Sequence, residues 1–209
     1  MNSALVARQF NEKKLVIATH NKGKLMEISE LVGPFGINVI PPDELSIPEP
    51  IENGNTFIEN AKIKAWSAVI NSGKASLSDD SGLVVPALNG APGIYSARWA
   101  GPDKNFTTAM ERLNKELGNK DRRAFFVSAL VLLWPDGHME AFEGTVHGML
   151  VWPPRGNVGF GYDPMFLPDG QKKTFGELTP GEKQRYSHRS DAFNQLAAAC
   201  FSESKRPDK

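Results

Sequence analysis

Two adjacent aspartates, Asp79 and Asp80, and the glycine Gly82 stand between apolar, strand-forming residues in the run Leu77-Ser78-Asp79-Asp80-Ser81-Gly82-Leu83-Val84-Val85. Carboxylates are among the side chains least often buried, so a pair in this setting needs a partner or a task. Magnesium is one candidate, because it binds through one or two carboxylates and leaves its other positions to water and phosphate. Successive side chains of an extended chain point to opposite faces, so Asp79 and Asp80 are not expected to serve one ion together. One should face the chemistry while the other supports the loop. On this run alone, an Asp-Asp turn with Asx hydrogen bonds at a strand end is the simpler account.

Three other segments have residue types suited to a phosphorylated ligand. Thr19-His20-Asn21-Lys22-Gly23-Lys24 follows a short apolar run and precedes a helical pattern. Free amides and the helix dipole favour an anion at such a junction, and Lys22 and Lys24 add charge. It is not a Walker P-loop, since the first glycine and the Ser/Thr after the lysine are missing, and a solvated turn is an equal alternative. Gly156–Pro164 sets three glycines around Phe160 and Tyr162, so its backbone can wrap a flat group with an aromatic face against it; turn structure with core aromatics is the bland reading. Lys183, Arg185, His188 and Arg189 gather near the junction of two helical patterns. Lys183 and Arg185, two apart, would not share a helix face, and a solvated basic face is the default. Ser187-His188-Arg189 nevertheless lies where a helix start could aim donors into a cleft. His138 and His147 lack metal-ligand spacing and read as structural or exposed. There is no His-Glu-x-x-His, Gly-x-Ser-x-Gly or paired-Cys motif, nor an Asp-x-Asp after the first strand.

These residues need a frame that alternates strands and helices. Leu15–Ala18 reads as a buried strand, and a helix is expected near Lys24, with Leu25, Ile28 and Leu31/Val32 inward and Gly33-Pro34 as its stop. Ile37–Ile40 reads as a strand. Prolines 41, 42, 48 and 50 make the next segment an irregular loop. Thr56-Phe57-Ile58-Glu59 has the form of a capping box, and Phe57, Ala61, Ala65 and Ala68/Val69 line one face of the helix it opens. A further helix is expected from Asn105, then a long hairpin from Ala124–Trp134 and His138–Val151 about Pro135-Asp136-Gly137. Thr179-Pro180-Gly181-Glu182 marks another helix start, and Phe193, Leu196, Ala197 and Cys200 belong to the last helix. The pattern implies an α/β protein with a mixed sheet. A single domain over 14–201 is expected, with 1–13 as a flexible extension and 202–209 as a flexible tail.

Bulk properties narrow the partners. The chain has 209 residues, with 24 Lys+Arg against 24 Asp+Glu, so no global field draws nucleic acid or an anionic membrane. Its one cysteine, Cys200, rules out a disulfide framework or thiolate metal site and reads as a buried, inert thiol. No apolar run approaches membrane-spanning length, and the first residues lack a signal-peptide core, so a cytoplasmic protein is expected.

Taken together and in order, Leu15–Lys24 (LVIATHNKGK), Asn53–Ala61 (NGNTFIENA), Leu77–Leu83 (LSDDSGL), Gly90–Arg98 (GAPGIYSAR), Gly159–Phe166 (GFGYDPMF) and Ser187–Arg189 (SHR) resemble the inosine triphosphate pyrophosphatase family, the dITP/XTP pyrophosphatases. The resemblance spans roughly residues 15–200. It implies a long mixed sheet with helices on both sides and two lobes flanking an active-site cleft. It also implies Mg²⁺-dependent hydrolysis of the α–β bond of non-standard purine nucleoside triphosphates (ITP, dITP, XTP) by a homodimer that cleanses the nucleotide pool. Matched motif by motif, Thr19, His20, Asn21, Lys22, Gly23 and Lys24 would hold the triphosphate; His20 stands where the family often has a small residue, which would bring an imidazole to the phosphates. Asp80 matches the catalytic carboxylate and, with Glu52, the metal ligands. Ser81 matches a substrate contact. Phe160, Gly161, Tyr162, Asp163, Lys183, His188 and Arg189 match purine-binding positions, with Lys183 or Arg189 as donors to the base oxygen. The alternatives are a Maf-type nucleotide pyrophosphatase of other specificity and a nucleotide-binding module without turnover.

Overall fold

Leu15 and Ile17 of strand β1 (Lys14–Ala18) are buried on one face of the sheet, while Val16 and Ala18 are buried in a different cluster, as the alternation of an extended chain requires. The computed structural model describes residues 7–201. β1 pairs in parallel with β2 (Asn38–Ile40) and with β3 (Ser76–Val84), in the register Val16↔Ile40 and Val16↔Ser76. Parallel neighbours require crossover connections. Helix α1 (Lys22–Val32) lies between β1 and β2 in the chain, and α2 (Phe57–Ser72) lies between β2 and β3. The remaining strands and α-helices are α3 (Phe106–Leu117), β4 (Arg123–Leu133), β5 (Met139–Leu150), β6 (Phe166–Pro168), α4 (Pro180–Gln184) and α5 (His188–Cys200). The six strands form one mixed sheet in the order β2-β1-β3-β4-β5-β6, with β5 and β6 antiparallel. No helix among the described residues is long and apolar enough to cross a membrane.

The chain divides into two compact units interleaved in sequence. Within the described residues, unit 1 comprises 7–80, 129–143 and 189–201, and unit 2 comprises 81–128 and 144–188. The division crosses the chain four times, between Asp80 and Ser81, Ser128 and Ala129, Glu143 and Gly144, and His188 and Arg189.

In unit 1, helices cover both faces of the strands. Ile28 and Val32 of α1 and Phe193, Leu196 and Cys200 of α5 bury with Leu15, Ile17, Leu130 and Leu132. On the other face, Ala61, Ala65 and Val69 of α2 pack on Ala129, Val131 and Leu133. Each fully buried aliphatic side chain of this kind contributes roughly 1.5–3 kcal/mol of burial free energy. The alanines matter for placement: they let the α2 backbone approach the sheet, so Ser76 and Ser78 Oγ donate to the α2 carbonyls of Ala65 and Ala61 at 3.0 and 2.6 Å.

Unit 2 is organised around Leu83, Val85, the inner face of α3 (Ala109, Met110, Leu113, Leu117) and the aromatics Phe126, Phe166 and Phe175. Asn105 caps α3 by accepting from the amides of Thr107 and Thr108.

Two expectations need correction here. The segment 7–13 is not part of a loose extension: Phe10 is buried against Trp134 and Phe201, and its amide donates to the Cys200 carbonyl at 2.7 Å. Arg8 fastens the same segment to the β4–β5 turn, stacking over Trp134 and pairing with Asp136. Residues 1–6 and the tail 202–209 lie outside the described residues. Helix α1 begins at Lys22 rather than near Lys24, because Asn21 caps it: its Oδ1 accepts from the Lys24 amide at 3.1 Å. Cys200 is buried as expected, and burial pushes its thiol up to about 12.

Candidate functional site

In unit 1 the candidate residues sit on the turn after β1, on the first part of β3 and on the helices α1, α2 and α5 that face them. The Thr19 hydroxyl accepts from the Asn21 amide at 3.2 Å, and Asn21 in turn caps α1. The turn is therefore folded back on itself, with the Lys22 and Gly23 amides heading an 11-residue helix and Lys22 exposed. Strand alternation separates the two aspartates. Asp79, fully buried, meets Lys24 Nζ at 2.7 Å and Arg189 Nε at 3.0 Å, and Arg189 also pairs with Glu27. Asp80 turns instead to α2, where Lys64 Nζ lies 2.8 Å from its Oδ1. The same ammonium lies 2.8 Å from Glu52 Oε1.

Lys64 and Asn60 carry no motif of their own in the sequence, and the structure sets both against Asp80. Asn60 accepts from the Gly54 amide at 2.8 Å and reaches Asp80 Oδ2 at 3.5 Å, linking the loop of Glu52 to the catalytic-candidate carboxylate. Gly54 permits this approach, since a Cβ there would stand 2.7 Å from Glu59 Cβ and 2.8 Å from Asn60 Oδ1. A signal existed in the sequence. Asn60 and Lys64 stand four residues apart beside the alanine stripe Ala61, Ala65, Ala68, so both fall toward the buried face.

The electrostatics follow from burial. Desolvation pushes the Asp80 carboxyl above the usual carboxylate range, with Lys64 and Lys24 opposing. Burial alone would lower Lys64, but Asp80 and Glu52 together outweigh it and hold the ammonium above its ordinary value. The donor chemistry suits a hard cation. Glu52 and Asp80, from a loop and a strand, reach one positive group from two sides, and a carboxylate pair completed by water and phosphate oxygens is a Mg²⁺ set. Among the described residues no cluster of three or more His, Cys, Asp or Glu offers a closed metal cage. Glu49, the neighbouring acid of the same loop, is exposed.

In unit 2, Asp163 organises the aromatic loop. Its Oδ2 accepts from the Phe160 amide at 2.9 Å and pairs with Lys183 Nζ at 2.6 Å. Gly159, at φ +79°, adopts a backbone that favours glycine and leaves no room for a Cβ beside that carboxylate. Lys183 Nζ lies 4.6 Å from the Phe160 ring centroid and 5.3 Å from that of Phe175. Lys183 is buried and Arg185 exposed, on different faces as their spacing requires. His188 is buried and stacks on Phe126 at 4.9 Å. Ser81 follows Asp80 in β3 and is half-buried.

Three carried-over positions sit differently from expectation. His20 does not turn to the phosphate-compatible turn: its Nε2 is 3.0 Å from the Ile47 carbonyl. Tyr162 is a core residue rather than a stacking face, 2% exposed, set edge-on to Phe106, with its hydroxyl donating to the Ser96 carbonyl at 3.1 Å. Burial accordingly raises its phenol well above the usual value. Arg189 sets its guanidinium against Asp79 and Glu27, a setting the sequence does not announce. Its charge is needed there because Asp79 is buried with no exposed surface.

The model of the Ham1 family matches residues 15–199. The chain is 54% identical over 198 residues to a dITP/XTP pyrophosphatase of Zymomonas mobilis, covering 93% of this chain and 95% of that one. It is 55% identical over 198 residues to a dITP/XTP pyrophosphatase of Rhodospirillum centenum, covering 93% and 98%. A solved structure of a HAM1 protein from Coxiella burnetii matches with a TM-score of 0.82 at 38% identity, over 90% of this chain and 98% of that one.

Proposed function

The chain belongs to the Ham1 family, and from that premise we propose that it hydrolyses the non-standard purine nucleoside triphosphates ITP, dITP and XTP to the monophosphate and pyrophosphate. The observation that carries this reading is the convergence of Glu52 and Asp80 on one cationic point in the unit that also holds the Thr19–Lys24 turn. A module that only bound nucleotides would not need two carboxylates gathered there. The names of the relatives from Zymomonas mobilis and Rhodospirillum centenum point the same way.

Glu52 and Asp80 would hold Mg²⁺, whose contribution when bound is positive charge that neutralises phosphate oxygens. Asp80 accepts a hydrogen bond from the attacking water and aims it at the α-phosphorus. The water oxygen bonds to that phosphorus as the bond to the bridging oxygen breaks. Pyrophosphate leaves with the electron pair, and the water's proton passes to solvent. Lys24 and the Lys22 and Gly23 amides neutralise the leaving pyrophosphate, so the chemistry is positioning and charge stabilisation throughout.

The base end is assigned to unit 2. Phe160 supplies a stacking face and Lys183 a donor for the 6-oxygen of hypoxanthine or xanthine, with Ser81, Gly161 and His188 as further contacts. Adenine presents an amino donor at that position, leaving Lys183 facing another donor. A homodimeric state and a cytoplasmic setting belong to the same proposal.

The test is pyrophosphate release from a panel of purine and pyrimidine triphosphates, with and without Mg²⁺. Turnover of ITP and XTP, with little of ATP or GTP and none after chelation, is expected. Preference for a pyrimidine triphosphate would favour a Maf-type activity, and no turnover on any member would leave a binding module.

A further inference from the structure

Glu52 lies in a loop, and a loop carboxylate can serve a metal only if something fixes the loop. The segment after β2 runs from Pro41 to Thr56 and bears prolines at 41, 42, 48 and 50. Its only described short helix, Pro42–Leu45, ends at Ser46 with φ 51°. Ile47 follows, and its side chain is buried with Val16, Ala18, Ile40 and Ala68 of unit 1. That anchors the side chain but leaves the direction of the backbone to its hydrogen bonds.

His20 supplies one. The Ile47 carbonyl can only accept, so His20 Nε2 carries the proton and donates across 3.0 Å. The donor sits one residue before Asn21, the cap of α1, and the acceptor sits five residues before Glu52. Pro48 and Pro50 restrict the chain between them, so the direction set at Ile47 is carried toward Glu52 with little slack. Both His20 and Ile47 line a small cavity with Pro42, Pro48, Pro50 and Lys64, the last of which pairs with Glu52 itself.

We propose that His20 is a positioning residue for metal binding: its Nε2–H to the Ile47 carbonyl couples the Thr19–Lys24 turn to the loop that presents Glu52, so that the phosphate side and the carboxylate side of the cation site are set together. This rests on Glu52 and Asp80 as the cation's holders, as the proposed function has it. It assigns His20 no contact with the substrate. A side chain one step removed from a metal ligand typically alters affinity by about 10- to 100-fold when lost; His20 acts through backbone, so the lower end applies.

The experiment compares wild type with His20→Ala, His20→Leu and His20→Gln. The first readout is Mn²⁺ binding without nucleotide, followed by electron paramagnetic resonance. Ala and Leu should weaken Mn²⁺ about tenfold, Leu showing that bulk without a donor does not suffice. Gln, whose amide nitrogen reaches the place of Nε2, should recover most of the affinity. The second readout is limited proteolysis: cleavage within 41–56 should be faster in Ala and Leu than in wild type or Gln. In turnover, the larger change should fall on the Mg²⁺ concentration at half-maximal rate, with kcat at saturating Mg²⁺ falling less. Wild-type Mn²⁺ affinity in His20→Ala, or Gln as impaired as Ala in a folded protein, overturns the proposal. If no triphosphate is hydrolysed by the wild type, the functional reading fails, while the Mn²⁺ and proteolysis measurements still decide the role of His20.

Discussion

In unit 1 three cations, Lys24, Lys64 and Arg189, stand among four carboxylates, Glu27, Glu52, Asp79 and Asp80. In unit 2 Lys183 and Asp163 form one pair, and the ammonium lies over the rings of Phe160 and Phe175. The first arrangement has one negative charge more than its cations neutralise, so it is poorly prepared for a bare triphosphate and well prepared for one accompanied by a divalent ion. The second is balanced and walled by aromatic faces, which suits a flat, uncharged group with one hydrogen-bonding edge. The two units thus concentrate different materials, paired charges in the first and aromatic faces around a single ion pair in the second.

The largest effect should come from Asp80, where the imbalance and the proposed chemistry coincide. Asp80→Asn keeps the shape and the Asn60 contact but removes a carboxylate from the cation site. Mg²⁺-dependent pyrophosphate release should fall about 10³-fold, with the melting temperature maintained or raised. Turnover within a few-fold of wild type would separate the charge cluster from catalysis.

Lys64→Met tests the charge account directly. The ammonium contacts Glu52 and Asp80 at 2.8 Å each, and removing one partner of a buried pair costs about 3–5 kcal/mol. Glu52 retains some solvent access, with its side chain 27% exposed, so the lower end is expected. Mg²⁺ should then stabilise the variant more than wild type, because the cation takes over the neutralising role; about 2.7 kcal/mol returns at a concentration 100-fold above its Kd. Urea melts with and without Mg²⁺ read this, and equal Mg²⁺ effects on both proteins would defeat it.

In unit 2, Lys183→Met leaves the aromatic walls in place and removes the donor. The ratio of kcat/KM for ITP over ATP should fall about tenfold, chiefly through loss of ITP turnover. An unchanged ratio would mean that the base edge is read elsewhere. The companion variant Arg189→Met should instead act through Asp79, weakening stability more than it alters that ratio.

Local signals in the sequence map closely onto local structure. Asn21, Thr56, Asn105 and Thr179 cap helices as their residue types predict, and Gly73 and Gly118 end α2 and α3. The split of Asp79 from Asp80 follows from period-two alternation alone. One capping detail differs: Thr56 accepts from the Glu59 amide, but the Glu59 carboxylate accepts from Asn55 rather than from the cap residue. What escaped the sequence reading is long-range. Arg189 reaches Asp79 across 110 positions, and no periodicity on either element marks that pairing. Phe10 is silent for the same reason, because a short polar-flanked segment gives no sign of its packing against Trp134 and Phe201. Lys64 was legible only as a cation beside an apolar stripe, a feature that becomes informative once the facing strand is known to carry Asp80.

The smallest effect is on acid stability, and it distinguishes the two members of one ion pair. Burial raises Asp80 above its unfolded value, so the proton favours the folded state. That stabilisation is fully present below the unfolded carboxylate value of about 3.9 and is lost as pH rises through the raised folded value. Metal-free protein should therefore gain from Asp80, on acidification through that window, on the order of 1 kcal/mol or less. Lys64 is raised too, but its contribution stays complete up to its unfolded value of about 10.4 and adds no slope in the acid range. Urea midpoints of chelated wild type and Asp80→Asn between pH 4 and 7 should differ in slope, the variant lacking the part due to Asp80. Mg²⁺ favours the ionised carboxylate and should reverse the sign of that part in wild type alone. Parallel slopes in the two proteins would place the proton-sensitive charge on another carboxylate of unit 1.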